Sequence, residues 1–465
     1  MTIEQTLTDW VYDTRFDDLP TQTVDLTKKS VLTIFGTTIA GSHAEGCEAV
    51  VEMVKAWGGQ PEATIHIHGG RVPAPNAALV NSMMARANDL CDAMDPGLHN
   101  GSTVIPAALA AAELVGGCTG QDFITAVVTG TELSARLAVL GSEDGATAPG
   151  MDGFDPTGVT SVLGAAAATG RILGLDGQQI LNALALAFNR SGGSFQANLD
   201  GSLAVRMIQG FAAQNGLVCA LLAQRGITGP RNFIDGDYGF FHLYTKGRRD
   251  REGLAGELGQ RWQMYRTGYK HYPSCGASIA STDAILRLAQ DHDLSAADVA
   301  EIGVRVTPAI YGLVGHGFTV GDNPTVNAQF SIEYCVANAL VRQHPKLRHF
   351  DPDYVTDPQL LELTQRIHVT PDPTVNDNER RYRGRSIVRV VKRDGEVLET
   401  VVDGPSGFPT NPMTDEQHAE RFWDNVNYAR AIAKEDAERI VNTVGGLVTV
   451  DDVQALIPMT AGGAH

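Results

Sequence analysis

The sequence predicts a mainly α-helical fold, with a large all-helical domain built from residues 1–266 and 405–465 and a smaller α+β domain inserted at 267–404. Three textures carry that prediction. From the start to about Gly259, apolar residues recur three or four apart and small residues are abundant. Between about 267 and 404 the apolar period drops to two, and from Pro412 onward it is helical again.

The helices of the first part are expected at 75–93, 106–114, 122–139, 157–173, 178–189 and 210–225, each with Gly or Pro near its ends. Alanine-rich runs such as GAAAATGRILGL and PAALAAAELVGG let helix axes approach closely, so a compact bundle with thin interfaces is expected. Strands are expected in EIGVRVTP, in RIHVTPDP and in the pair RSIVRVVKRDGEVLETVVDGP, where Asp394-Gly395 marks a hairpin turn. Helices at 278–290 and 326–342 sit among these strands, which suggests helices on one face of an antiparallel sheet. Two last helices, 419–434 and 435–442, are read as returning to the first domain.

Charge narrows the classes of partner. Thirty-six Lys plus Arg against 54 Asp plus Glu leave a net charge of −18, a field that repels nucleic acid and anionic membranes. The first twenty residues lack a basic region followed by an apolar run, and no stretch of about 18 apolar residues follows, so the chain reads as soluble and cytoplasmic. Six cysteines without C-x-x-C spacing read as reduced thiols, with neither a disulfide framework nor a thiolate zinc site.

The glycine signatures of nucleotide and dinucleotide cradles are missing, as is G-x-S-x-G, so those cradles are unsupported. His66 and His68 would share a strand face, but no third ligand is identified, so they are read as structural or solvent-facing and no metal is expected. The basic stretch from Arg380 to Arg393 reads as a solvated strand face or an interface.

Two polar constellations remain. Asp89, Asp92, Asp95 and His99 crowd the end of one predicted helix and the loop to the next, where polar groups between apolar helices look like a site. A histidine there can move a proton near neutral pH, although Asp95, Asn100 and Ser102 would also serve as helix caps. Lys270, in TGYKHYPSCGASIAS, lies where helical texture gives way to the α+β part, and a lysine at such a junction can pair with a substrate carboxylate. Cys275 precedes a helix, a position that can lower a thiol pKa, but it is read as inert packing.

The segment NDLCDAMDPGLHNGSTVIPAALAAAE resembles the MmgE/PrpD family stretch that usually reads DFDDT, then HPGS, then an alanine-rich helix. The resemblance continues in order through GFDPTGVTSVLGAAAATGRILGL, VRMIQGFAAQNGLVCALLAQRGITGP, DGDYGFF, YKHYPSCG, NAQFSIEYCVANAL and PSGFPTNPMTDE, nearly the whole chain. It implies a helical domain with a smaller lid, a homodimer, and cofactor-independent chemistry on a small anionic di- or tricarboxylate. Family activities include 2-methylcitrate dehydration, cis-aconitate decarboxylation and iminodisuccinate epimerisation.

Residue by residue, the resemblance implies site roles for Asp89, His99, Lys270 and Arg206, the last two as carboxylate-binding cations. This chain departs where the family commonly has His and carries Asp155, Lys and carries Val205, His and carries Ile208, and Thr and carries Ala93. Epimerisation needs only removal and return of one proton, so the expected activity is iminodisuccinate-epimerase-like, with His99 as one base and Asp155 or His316 as the other. Asp155 is also a natural cap for the helix after Pro156, and His316 is also readable as a mobile surface residue of a Gly-rich loop. The alternatives are a hydro-lyase, a decarboxylase, or a catalytically inactive polycarboxylate-binding protein.

Overall fold

The structure, a computed structural model, describes residues 1–95, 97–140, 153–375 and 384–460. Helix Val162–Ile172 is the axis of the helical part. Its residues through Gly170 are buried, as expected of a small-residue helix that is apolar all round. Glycine permits the contact with helix Gly120–Val139: a Cβ on Gly164 would lie 2.6 Å from the Gly130 carbonyl oxygen, and one on Gly130 would lie 2.4 Å from that of Gly164. On the other side, a Cβ on Gly216 of helix Met207–Gln224 would meet that of Ala165 at 2.4 Å. The thin interfaces expected from the alanine and glycine runs are therefore present.

Most predicted helices occur with shifted ends, and local chemistry explains the shifts. The helix expected at 75–93 is Ala74–Arg86; Asp89 then takes a left-handed φ of 50°, and Asp92–Ala93 is a short strand. The helix expected at 326–342 is two, Pro324–Gln329 and Ile332–Arg342, because Ser331 caps the second by accepting from the Tyr334 N–H at 3.2 Å. Helix Asp415–Ala429 ends at Arg430, whose φ is 51°.

Four strands form the larger sheet in the order Ile367–Pro371, Val299–Val306, Ser386–Lys392, Val397–Val402. The hairpin through Asp394-Gly395 is antiparallel, with Val391 opposite Val397. The sheet is mixed rather than antiparallel, since Val299–Val306 and Ile367–Pro371 run parallel. The connection between them carries several helices, and such a crossover is what parallel pairing requires. Helices Gly276–His292 and Ile332–Arg342 share a core with the buried residues of this sheet.

The last helices pack back onto the first part. Phe422, Val426, Ile440 and Val444 share a core with Val31, Phe35 and Ile39 of helix Thr21–Gly41. Among the described residues no helix is long and apolar enough to cross a membrane. Of the basic stretch, Arg380, Arg381 and Arg383 lie outside the described residues, whereas Arg389 and Arg393 are exposed. His66 is buried with Nδ1 2.6 Å from the Thr460 hydroxyl, and His68 Nε2 is 2.8 Å from the Ser42 carbonyl oxygen, so both are structural.

Gly164→Val is expected to lower stability by about 1–3 kcal/mol, because the new side chain has no room against Gly130. Urea unfolding checks this, and an unchanged midpoint would refute the close-approach account.

Candidate functional site

Residues about 175 positions apart are brought together by one short ladder. Asp92–Ala93 pairs antiparallel with Gly268–Tyr269, with Asp92 opposite Tyr269 and Ala93 opposite Gly268. That register sets Lys270 beside the turn that follows Arg86. Lys270 Nζ lies 2.6 Å from Asp89 Oδ1, and Arg86 also donates to Asp89 Oδ1. All three side chains are buried. Burial by itself would raise the Asp89 carboxyl, but Arg86 and Lys270 outweigh it and hold the group below the ordinary carboxylate range.

His99 is placed by the start of the next helix. Asp92 caps helix Gly101–Val115, its carboxylate accepting from the Gly101 N–H at 2.7 Å and the Ser102 N–H at 3.3 Å. A Cβ on Gly101 would sit 2.8 Å from Asp92 Oδ1, so glycine is needed there. The Asp92 carbonyl oxygen, 2.6 Å from His99 Nδ1, accepts its proton and leaves Nε2 as the free lone pair. Burial, then the charges of Arg86 and Lys270, push His99 well below the ordinary histidine value.

Arg86, Asp89, His99, Asp155 and Lys270 line one cavity of about 130 Å³. Asp155 both caps and faces the cavity: its Oδ1 accepts from the Thr157 N–H at 2.8 Å, and burial raises its carboxyl toward the neutral form. The π-helical turn Thr157–Ser161 follows directly, a distortion frequent at functional sites. Ala309, Ile310 and Leu313 of helix Pro308–Val314, with Phe330 and Phe408, supply an apolar wall. Gly276 and Ala277, the first turn of helix Gly276–His292, bring the positive end of a helix dipole to the cavity.

The other sequence candidates lie elsewhere. Arg206 is buried but does not line the cavity; its guanidinium donates to the Glu45 carbonyl oxygen behind it. His316 is exposed, with Nε2 2.8 Å from the Gly312 carbonyl oxygen, and is not part of the lining. Cys275 does line it, but burial raises its pKa and keeps it a thiol. Sequence reasoning missed Arg86, although an arginine three residues before Asp89 at a helix end was a signal for it. It also missed Asn198 and Thr410, which lie in segments without a charge pattern. Among the described residues no three His, Cys, Asp or Glu side chains group as a metal site.

The MmgE/PrpD N-terminal domain matches residues 5–252, and the MmgE/PrpD C-terminal domain matches residues 272–445. The chain belongs to the MmgE/PrpD family. It is 27% identical to the cis-aconitate decarboxylase-like protein oryM of Aspergillus oryzae, over 98% of this chain and 96% of that protein. It is 23% identical to human cis-aconitate decarboxylase over 97% of this chain and 93% of the relative. The alkylcitrate dehydratase phiI of Talaromyces stipitatus is 26% identical over 47% of this chain and 48% of its own length.

Asp89→Asn leaves two buried cations without their shared carboxylate, and the expected loss of stability is about 3–5 kcal/mol. Adding Lys270→Met is expected to restore part of it. Losses that simply add in urea titrations of the single and double variants would contradict the coupling.

Proposed function

We propose that the protein is a cofactor-independent lyase that moves a proton at a carbon α to a carboxylate of a small di- or tricarboxylate, with cis-aconitate as the first substrate to try. One observation carries the reading: His99, with a free Nε2, lines the same cavity as two cations that share a single carboxylate. The nearly full-length similarity to cis-aconitate decarboxylases supports the substrate class.

Charge that develops next to a carboxylate must be held by fixed donors in a dry site. Lys270 has three N–H donors and gives one to Asp89, so two remain for substrate oxygens. The Gly276 and Ala277 N–H groups at the helix start are suited to a second carboxylate. Burial and the field of Arg86 and Lys270 keep His99 neutral, and an incoming polyanion offsets that field, raising its basicity as the base is needed. Asp155, whose carboxyl burial raises above its ordinary value, is the proton donor. In decarboxylation, the electron pair left by departing carbon dioxide takes that proton; in dehydration, the departing hydroxyl takes it while His99 removes the C–H proton.

Epimerisation is the second reading, favoured by one base and one acid on the same cavity: His99 takes a proton and Asp155 returns one. A homodimer, as the family resemblance implies, and a cytoplasmic location belong to the same proposal.

Proton NMR in deuterated water, with cis-aconitate, 2-methylcitrate, citrate and iminodisuccinate in turn, tests both. Gain or loss of a vinylic signal, or for 2-methylcitrate the change of its methyl doublet to an allylic singlet, supports the lyase. Deuterium uptake with interconversion of diastereomers and no vinylic change moves the assignment to an epimerase, and no reaction with any of the four overturns both. On a substrate that is dehydrated or epimerised, where His99 removes the C–H proton, His99→Asn is expected to lower kcat/KM by about 10²–10⁴-fold.

The pH profile gives an independent check. A base with a depressed pKa stays unprotonated as pH falls, so kcat/KM is expected to hold through the ordinary histidine value of 6.5 and decline only below it. An acid limb centred at or above 6.5 would remove His99 as the base.

A further inference from the structure

Away from the catalytic cavity, a groove runs between helix Asp415–Ala429, the start of helix Lys434–Gly445 and the 342–350 segment of the α+β part. It consists of two adjoining hollows of about 420 and 500 Å³ that share Arg348 and Asn427. Five cations line it, Arg342, Lys346, Arg348, Arg430 and Lys434, against one acid, Asp424. On a chain of net charge −18 that is a local reversal of sign, and hollows of one sign with low-dielectric walls concentrate the field.

Some of these charges are already paired. Arg342 meets Asp357 at 3.2 Å, Lys346 meets Asp424 at 3.1 Å, and Lys434 meets Glu438 at 3.5 Å. Arg348 and Arg430 are exposed and form no ion pair among the described residues. They face the larger hollow, which no acidic residue lines. Burial, then the charges of Arg342, Arg348 and Lys346, draw His349 in the neighbouring hollow down to about 4, as a positive field requires. The floor of the larger hollow is of another kind: Trp423 is half-buried there beside Val426 and Ile432.

We propose that this groove binds a small polyphosphate ligand of the nucleoside di- or triphosphate class, with the planar base against Trp423 and the phosphates held by Arg348, Arg430 and Lys434. Guanidinium groups suit phosphate by paired N–H donors, and an indole face accepts any planar base. The catalytic cavity shares none of these residues, so the proposal stands apart from the reaction assigned there.

The test titrates the full-length protein with ADP and with pyrophosphate at about 0.1 M salt, following tryptophan fluorescence and heat. ADP is expected to saturate with Kd below about 1 mM, pyrophosphate to bind more weakly, and Arg348→Gln/Arg430→Gln to weaken ADP by about tenfold or more. Both side chains are exposed, so the double variant is expected to keep its Tm and circular dichroism. Absence of saturable ADP binding, or ADP binding unchanged in the double variant, would overturn the site. Pyrophosphate binding as tightly as ADP would overturn the nucleoside part, because the base would then add nothing.

Discussion

A buried carboxylate shared by two buried cations is the constraint around which the candidate cavity is arranged. Asp89 has Arg86 on one side and Lys270 on the other, and taking three charges out of water is tolerable only because each offsets another. The cluster still carries one positive charge more than it neutralises. In a cavity walled by Ile310, Leu313, Phe330 and Phe408, that excess acts through a low dielectric and is felt by every group nearby. It helps hold His99 neutral.

The backbone makes this arrangement rigid. Asp92 belongs to the ladder through its main chain, caps a helix through its carboxylate, and accepts the His99 proton through its carbonyl oxygen. One residue therefore fixes the distance between the histidine, the ion cluster and the start of helix Gly101–Val115. Left-handed backbone at Asp89 turns the chain sharply enough to bring Arg86 and Lys270 to the same carboxylate. Behind them, helices in glycine-to-glycine contact leave little room for the site to relax.

Much of this was legible in the sequence. The periodicity of the two halves gives helix and strand in the right order, and the acid-and-histidine loop and the lysine at the change of texture stand out as chemistry. One-dimensional proximity does not show which candidates share a cavity. Arg206 and His316 occur in segments that look like site material, yet one turns its guanidinium to the Glu45 carbonyl and the other lies in solvent. Arg86 drew no notice because a basic residue near a helix end is ordinary until its neighbours are known.

By itself the sequence determined the mainly helical class, the inserted strand-rich stretch, the close-packed small-residue interfaces and the residue types available for proton transfer. These follow from periodicity, side-chain volume and ionisable chemistry, all of which are local. Only the tertiary structure decided that Asp89 is shared by Arg86 and Lys270, that Asp155 both caps and faces the cavity, and that the sheet is mixed. Those outcomes depend on distances between segments as much as about 180 residues apart, which are fixed by ladder register and packing and have no signature in chain spacing.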